Sequence, residues 1–356
     1  MGHLVMDEVL HLQALSEAWA AFGDGRSILD VHDTSPRVST NTVYLVRLDD
    51  GSCVFGKVSN YGSYFLFAED HDRLYQCTNL LRGTRFEQFL ALVLGRDDRP
   101  FTWYDGTLWV AFYAEAPRAD ALPPRLDTAQ RRCLAREIAE FHRACDDIAA
   151  DIPATSNSVK SDAIHLLDLL SSPFAPRNFE LPPEDVSVLW RHTHDFLLEL
   201  ERIRYDAWRR IPVLVDWNIG NFSVRNDPSG NFRLFSRWDY DWFRVESRVL
   251  DFYFLSRVSS ATGDRTQWTY SPHTLGEPQF AEFLTAYHAV FPLSEAEVRF
   301  IPEAFRFFIL NYVVREGARF FRRDLCLRFR SDAARTYLPA LDRFDVTPLL
   351  RATGLA

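Results

Sequence analysis

The chain has 356 residues, of which 47% are apolar and 25% charged, a balance typical of globular proteins with sizeable cores. Its formal net charge of −9 argues against a nucleic-acid partner. It shows neither a signal-peptide pattern nor the run of about 18 apolar residues that predicts a membrane span. Because the five cysteines are scattered without a C-x-x-C pair, we expect a cytoplasmic protein without disulfides or zinc.

The N-terminal part of the chain is rich in strand-forming residues and in turn signals. Asp49-Asp50-Gly51 and Asp105-Gly106 each separate two apolar runs, which predicts two hairpins. The second strand of the second hairpin is apolar throughout, so we expect it to be central in a sheet. The predicted elements are a helix at 8–22 and strands at 28–35, 41–48, 52–58, 101–104 and 107–114.

Lys57 stands inside an otherwise apolar strand. A buried lysine is costly without an anionic partner, so Lys57 either binds an anion or lies on an edge strand and extends its ammonium group to water. The loop before this hairpin contains Ser39, Thr40 and Asn41. Their small side chains would let backbone N–H groups approach a phosphate, and a plain turn fits the same residues equally well.

The connection between the two hairpins is predicted to be irregular at 59–83 and helical at 84–94. Thr84 is a suitable N-cap for that helix, and Glu87 lies close to its apolar stripe. Beyond Glu115 the chain becomes proline-rich and then helical. We therefore predict an α+β protein with a strand-rich region at 1–116 and a helical region at 117–356. Helices are predicted at 128–148, 160–170, 183–205, 249–258, 277–290, 294–318 and 331–345.

The stretch from Val213 to Asp251 carries the residues suited to chemistry. Asp216 is followed five residues later by Asn221, and a hairpin with a strong turn then leads to Asp239 and Asp241. Carboxylate and amide oxygens are hard ligands of the kind Mg²⁺ prefers. A further aspartate nearby can accept the proton of a substrate hydroxyl.

This pattern of D-x-x-x-x-N, hairpin and D-[aromatic]-D resembles the catalytic core of the aminoglycoside phosphotransferase and choline kinase family, which are protein-kinase-like small-molecule kinases. Asp216 and Asn221 match the catalytic loop of that family, and Trp238-Asp239-Tyr240-Asp241 matches its metal-binding block. The resemblance implies a two-lobed protein-kinase-like fold. Its N-lobe has an antiparallel sheet with a helix, and its larger C-lobe is mostly helical.

The resemblance also implies a role for each candidate residue, with ATP and Mg²⁺ as cofactors. Asp216 would orient and late in the reaction deprotonate the acceptor, and Asp241 would be a further metal ligand or a nearby anion. Asn221 and Asp239 would be Mg²⁺ ligands, and Lys57 would contact the α- and β-phosphates with Glu87 (or else Glu69) as its partner. The phosphate loop would be formed by Ser39, Thr40 and Asn41, and the adenine-binding hinge by the chain around Glu115.

The implied activity is ATP-dependent phosphorylation of a hydroxyl or amino group on a small molecule. Amino sugars, aminoglycosides and other hydroxylated metabolites are the candidate substrates. The histidine and glycine that usually precede the catalytic aspartate are replaced here by Leu214 and Val215, so a catalytically impaired, pseudokinase-like nucleotide-binding or interaction protein is the alternative.

His142 and Asp251 are interpreted as structural supports of the catalytic loop. The arginines from 315 to 330 are either a solvated stripe or a site for an anionic substrate group.

Overall fold

A computed structural model describes residues 2–35, 41–228, 230–264 and 269–356, with side chains from residue 8 onward. The chain divides into two compact units. The first comprises Met1–Arg118 together with Ser236–Asp241, and the second comprises Ala119–Phe235 and Trp242–Ala356. The predicted α+β class is confirmed, since the first unit holds an antiparallel sheet and most of the second is helical.

The first unit is built on a five-stranded antiparallel sheet with the strand order β1-β2-β3-β7-β6. Both predicted hairpins are present: β2 pairs with β3, and β6 pairs with β7. Strand β7 has neighbours on both sides and is buried over nearly its whole length, as its apolar sequence predicts. The strands are β1 (Ile28–Asp33), β2 (Thr42–Leu48), β3 (Cys53–Ser59), β4 (Gly95–Arg96), β5 (Arg99–Pro100), β6 (Thr102–Tyr104) and β7 (Trp109–Ala114).

Helix α1 (Gly2–Phe22) packs on this sheet through its apolar face. Leu15 is fully buried, and the Trp19 ring meets the Phe112 ring edge-on with centroids 5.0 Å apart. Gly56 on β3 allows this close approach, because a Cβ there would lie 2.3 Å from Leu15 Cδ1. A larger residue at this position would therefore force the Leu15 side chain out of its place against the sheet.

The connection between the two hairpins differs from our prediction. Helix α2 (Tyr64–Leu80) lies in the segment expected to be irregular, and its N-cap Ser63 accepts a hydrogen bond from the Phe65 amide. The helix predicted at 84–94 is wrong, since residues 85–89 form consecutive turns and residues 90–94 are extended with two isolated bridges. The apolar spacing still buries Phe86 and Phe89, but the later backbone amides bond to other elements, as Leu94 N does to Phe112 O at 2.7 Å. Tertiary hydrogen bonds thus replace the helical ones.

The second unit contains ten α-helices within the described ranges, and the helices predicted between residues 128 and 290 are present with the same or slightly shifted ends. The one predicted at 294–318 leaves the α conformation after Phe308 and continues as a π-helical turn, Ile309–Arg315. The range predicted as one helix at 331–345 is divided among the end of the helix Arg323–Asp332, a π-helical turn at Ala333–Tyr337 and the short helix Leu338–Asp342. The helices are α3 (Thr128–Ile148), α4 (Val159–Ser171), α5 (Ala175–Phe179), α6 (Pro183–Arg202), α7 (Phe252–Ser259), α8 (Pro278–His288), α9 (Glu295–Phe308), α10 (Arg323–Asp332), α11 (Leu338–Asp342) and α12 (Thr347–Ala352).

The predicted catalytic stretch contains two short strand pairs, one enclosing the other in the sequence. Strand β8 (Ile211–Val213) pairs antiparallel with β11 (Arg244–Glu246). Between them lies the predicted hairpin of β9 (Phe222–Asn226) and β10 (Phe232–Arg237), and the end of β10 carries the chain into the first unit. No helix in the described parts of the chain is long and apolar enough to cross a lipid bilayer.

Candidate active site

Lys57 lies on an interior strand of the first unit. Its Cα neighbours in the sheet are Val43 on β2 and Ala111 on β7, and the residue is only 6% exposed. The edge-strand interpretation is therefore wrong, because both sides of β3 are paired. A buried ammonium group in this position requires an anion.

The anion that meets Lys57 is Asp241, which belongs to the same unit and forms an ion pair with it. Burial alone would lower the pKa of Lys57, but the Asp241 carboxylate outweighs this effect and raises it, with a smaller contribution from Asp239. Lys57 is thus held in its charged form. An ammonium group fixed in a sheet interior is a suitable contact for phosphate oxygens.

Asp239 differs from Asp241 in its backbone conformation and in its exposure. Its φ of +70° places the backbone in the left-handed region, which aspartate tolerates better than most residues, and its side chain is exposed. The Asp241 amide lies 3.3 Å from Asp239 Oδ1. Two carboxylates this close in the sequence and in space offer hard oxygen ligands to a divalent cation. Within the described residues no group of three or more histidine, cysteine or acidic side chains could hold a metal.

Tyr240 anchors the Trp238–Asp241 block, the predicted metal-binding segment, within the first unit. Its hydroxyl donates to Arg237 O at 2.7 Å and accepts from Ala91 N at 2.6 Å, and its ring stacks on Tyr113 with centroids 6.0 Å apart. The aromatic residue between the two aspartates therefore points inward while the carboxylates flank it. This alternation explains the D-[aromatic]-D spacing.

Glu87 is not positioned as we predicted. It is exposed, and its carboxylate accepts a hydrogen bond from Gly83 N at 2.8 Å, because residues 84–90 form turns instead of a helix beside β3. The alternative, Glu69, does lie on helix α2, where it is 3.6 Å from Arg73. Among the described residues, the ion pair of Lys57 is the one with Asp241.

Helix α2 contributes His71, which the sequence did not single out. His71 Nδ1 lies 2.6 Å from Phe67 O, so it must donate, and the Tyr113 hydroxyl then donates to Nε2 at 2.5 Å. Burial and then the charge of Lys57 lower the pKa of His71 to about 3. A lone histidine in a helix gives no sequence signal for this neutral, buried role.

The predicted nucleotide-binding segments are only partly described. Ser39 and Thr40 lie outside the described residues. Asn41 directly precedes β2 and is half-buried, and Glu115 directly follows β7 and is exposed. The roles of these residues in binding phosphate and adenine stay predictions.

The predicted catalytic loop lies in the second unit and follows strand β8. Asp216 is half-buried, and its Oδ1 accepts a hydrogen bond from Asn218 N at 3.0 Å. A short 3₁₀ turn, Ile219–Asn221, places Asn221 at the entrance of β9. Val215 has a φ of +59°, a conformation that glycine adopts freely and a β-branched residue only under strain. Valine thus keeps the backbone shape in spite of the missing glycine.

A buried hydrogen-bond network holds this loop. The carboxylate of Asp251 accepts bonds from Val215 N at 2.7 Å, from Trp217 Nε1 at 2.6 Å and from His142 Nε2 at 2.8 Å. His142 Nδ1 in turn lies 2.7 Å from the Tyr287 hydroxyl. The supporting roles expected of His142 and Asp251 are therefore borne out by direct bonds. Trp217 is an additional anchor that the sequence analysis missed.

Several of the arginines between residues 315 and 330 are paired with acidic neighbours. Arg315 lies 2.7 Å from Asp162 and 3.1 Å from Glu316. Arg319 pairs with Glu316 at 3.1 Å, and Arg322 pairs with Asp324 at 3.2 Å. These ion pairs argue against the interpretation of the stripe as an anion site.

No protein-family model matches the sequence, and no curated protein matches it significantly. Solved structures match over nearly the whole chain. An amicoumacin kinase in complex with AMP-PNP and Ca²⁺ is 15% identical, with 96% of each chain covered and a TM-score of 0.61. A microcompartment-associated aminopropanol kinase is 17% identical, with 96% of this chain and 100% of that chain covered and a TM-score of 0.60.

A third match is the GDP complex of an aminoglycoside 2′-phosphotransferase-IIIa, which is 16% identical over 91% of this chain and 98% of that chain, with a TM-score of 0.55. At these identities the likeness establishes the fold. The predicted resemblance is confirmed at that level: the chain has the protein-kinase-like fold of the aminoglycoside phosphotransferase and related small-molecule kinases.

Proposed function

We propose that the protein is an ATP-dependent phosphotransferase that phosphorylates a hydroxyl or amino group of a small molecule. The observation that carries this proposal is the buried Lys57–Asp241 ion pair on an interior strand, next to the exposed carboxylate of Asp239. A buried ion pair is weak evidence for stability. The pair is better explained by two needs of a kinase site: an ammonium group that contacts phosphates, and a carboxylate that binds a metal.

Lys57 would contact the nucleotide phosphates once they compete for its ammonium group. Asp239, Asp241 and the amide oxygen of Asn221 would supply oxygen ligands to Mg²⁺. The donor set suits a hard cation, since it contains carboxylate and amide oxygens and no sulfur or imidazole. When bound, the cation would neutralise charge on the β- and γ-phosphates.

Asp216 would act on the acceptor. The acceptor oxygen or nitrogen forms a bond to the γ-phosphorus, the bond from that phosphorus to the bridging oxygen breaks, and ADP leaves. The acceptor proton passes to the Asp216 carboxylate and then to solvent. Because the transition state is loose and this proton leaves late, orientation matters more than basicity.

The pseudokinase alternative rests on the loop sequence. Leu214 is buried and apolar where related enzymes have histidine, and Val215 is strained where they have glycine. The three bonds to Asp251 nevertheless keep the loop fixed. Loop geometry therefore favours the active enzyme over the binding protein.

The decisive test separates nucleotide binding from turnover. Mg-ATP should raise the melting temperature of the wild-type protein by mass action, and Asp239→Asn should reduce that shift. Because the structural neighbours are named for amicoumacin, aminopropanol and aminoglycosides, amino alcohols and amino sugars are the first acceptors to screen for ADP release. Binding without turnover across a broad panel would favour the pseudokinase. The absence of any thermal or calorimetric response to Mg-ATP would reject both.

A further inference from the structure

Buried arginines in the second unit are systematically paired with acceptors. In the described residues, four of them meet a carboxylate, and Arg330 meets the carbonyl oxygens of Val314 and Phe179 at 3.0 and 3.1 Å. The carboxylate pairs are Arg131 with Glu282 at 3.1 Å, Arg244 with Asp162 at 2.6 Å, Arg248 with Glu297 at 2.7 Å and Arg306 with Glu303 at 2.8 Å. This is the arrangement expected, since a desolvated cation is costly without an acceptor.

Arg257 on helix α7 departs from this arrangement. It is half-buried, and among the described residues its guanidinium makes a hydrogen bond only to the Tyr253 hydroxyl, from Nη1 at 3.2 Å. No carboxylate of the described residues lies within 4.0 Å of it. Three aromatic rings surround the guanidinium instead, with its Cζ 5.8 Å from the Tyr253 centroid, 5.6 Å from Phe254 and 5.9 Å from Tyr270.

Among the described residues, the hydrogen-bond acceptor that Arg257 contacts is the Tyr253 hydroxyl, and the Asp264 carboxylate adds an electrostatic attraction from further away. The Tyr253 hydroxyl accepts from Arg257, so its own proton is available for a second bond. Tyr270 is half-buried with its ring 6.5 Å from that of Tyr253. The Asp264 carboxylate makes no ion pair with Arg257 within 4.0 Å and accepts a hydrogen bond from Ile219 N at 2.6 Å. A guanidinium and a phenol thus converge at a place where none of the described carboxylates makes direct contact.

This arrangement adjoins the catalytic loop. Helix α7 follows directly after Asp251, which binds Val215 and Trp217, and Asp264 binds the loop at Ile219. The pKa of Tyr253 is raised to about 12 by burial, with Arg257 opposing the rise and the Asp216 carboxylate adding to it. Tyr253 therefore lies within electrostatic reach of both Arg257 and the proposed catalytic aspartate.

We propose that Arg257 and the Tyr253 hydroxyl form an oxyanion subsite that binds a carboxylate or phosphate of the acceptor substrate. The assignment rests on the proposed phosphotransferase function, and it narrows the substrate class to hydroxyl-bearing acids, including zwitterionic ones. A bidentate guanidinium suits such a planar anion, and the aromatic walls suit a ligand with an apolar portion. A polycation without an acidic group would be repelled at this position.

The subsite can be tested with matched compounds that differ only in the acid. D-gluconate and D-glucitol, D-glucuronate and D-glucose, and 4-hydroxyphenylacetate and its alcohol tyrosol form such pairs. ADP release with Mg-ATP and the thermal shift of the Mg-AMP-PNP complex at constant ionic strength are both measured, and inorganic phosphate serves as a minimal oxyanion probe. We expect the acids and phosphate to give saturable shifts that the neutral partners do not give.

The variants identify the residue responsible. Arg257→Gln should weaken acid and phosphate binding by about 10- to 100-fold, as expected for a lost charged hydrogen bond, and leave neutral compounds unaffected. Arg257→Lys should retain part of the affinity, and Tyr253→Phe should lose a smaller part. Arg299→Gln, which removes an exposed guanidinium paired with Glu295 at 2.7 Å, is the matched control and should bind like the wild type.

The outcomes also separate this inference from the proposed function. Equal affinities for each acid and its neutral partner, or equal effects of Arg257→Gln on both, would overturn the subsite while Mg-ATP binding stood. Selective loss of AMP-PNP over ADP affinity in Arg257→Gln would assign the guanidinium to the γ-phosphate and overturn the acceptor assignment. Acid binding without any Mg-ATP binding would sustain the subsite and reject the kinase.

Discussion

Replacing Asp251 by asparagine should destabilise the second unit strongly. The carboxylate is fully buried, and one of its oxygens accepts bonds from both Trp217 Nε1 and His142 Nε2. If the amide oxygen keeps the bond to Val215 N, the amide nitrogen faces the indole N–H, which cannot accept. Losing one charged hydrogen bond costs about 1.5–3 kcal/mol, and a buried donor left unpaired costs about 1–3 kcal/mol more. The expected loss is roughly 3–5 kcal/mol, a large share of the ~5–15 kcal/mol that holds a typical domain folded.

Urea unfolding followed by far-UV circular dichroism measures this loss, and a double-mutant cycle tests its cause. Trp217→Phe removes the donor that Asp251→Asn would leave unpaired, so the double variant should be less destabilised than the sum of the single ones by about 1–3 kcal/mol. Strictly additive effects, or a loss below about 1 kcal/mol for Asp251→Asn, would refute the network as the support of the loop.

Four further results are expected. Asp216→Asn should lower kcat and kcat/KM together by about 10²–10⁴-fold in steady-state assays while Mg-ATP affinity holds, and near-normal turnover would make it a scaffold residue. Asp241→Asn should cost the first unit about 3–5 kcal/mol in urea unfolding by leaving buried Lys57 uncompensated. The free energy of unfolding of Glu87→Gln should stay within about 0.5 kcal/mol of the wild-type value, and its KM for ATP should be unchanged. A glutamate that paired with Lys57 would change both when replaced. His71 has a pKa of about 3 against an ordinary 6.5, so its contribution to stability is complete above pH 6.5 and falls as pH drops towards 3, by about 1.4 kcal/mol per pH unit at most. The free energy of unfolding should therefore fall less between pH 7 and pH 5 in His71→Gln than in the wild type.

Local turn chemistry and apolar spacing made the framework predictable. Asp49-Asp50-Gly51 and Asp105-Gly106 specify their hairpins without long-range information. The apolar spacing of residues 128–148 predicts helix α3, which in the structure begins with a capping box between Asp127 and Gln130. The alternation around Tyr240 likewise shows in the sequence. These features depend on residues close together in the chain.

The errors arose where distant residues decide the structure. The spacing of Phe86 and Phe89 fits a helix as well as the turns observed, and hydrogen bonds from this segment to other elements of the first unit select the turns. The partner of Lys57 lies 184 residues away, so a nearer glutamate was chosen. Arg257 contacts a tyrosine hydroxyl and none of the described carboxylates, and this depends on what surrounds helix α7, which no local sequence pattern records.

The first unit is assembled from two chain segments that are far apart in the sequence, and this affects how the protein folds during synthesis. Lys57 is synthesised 184 residues before Asp241, which at about 5–20 residues per second corresponds to roughly 10–40 s on the ribosome. During that interval strand β3 can pair with its neighbours only by burying an ammonium group that has no carboxylate. A nascent chain ending near residue 118 should therefore be open to proteases and chaperones, and the helical segments that follow begin to emerge before the first unit can close. The order of translation thus makes completion of the first unit a late step in biogenesis.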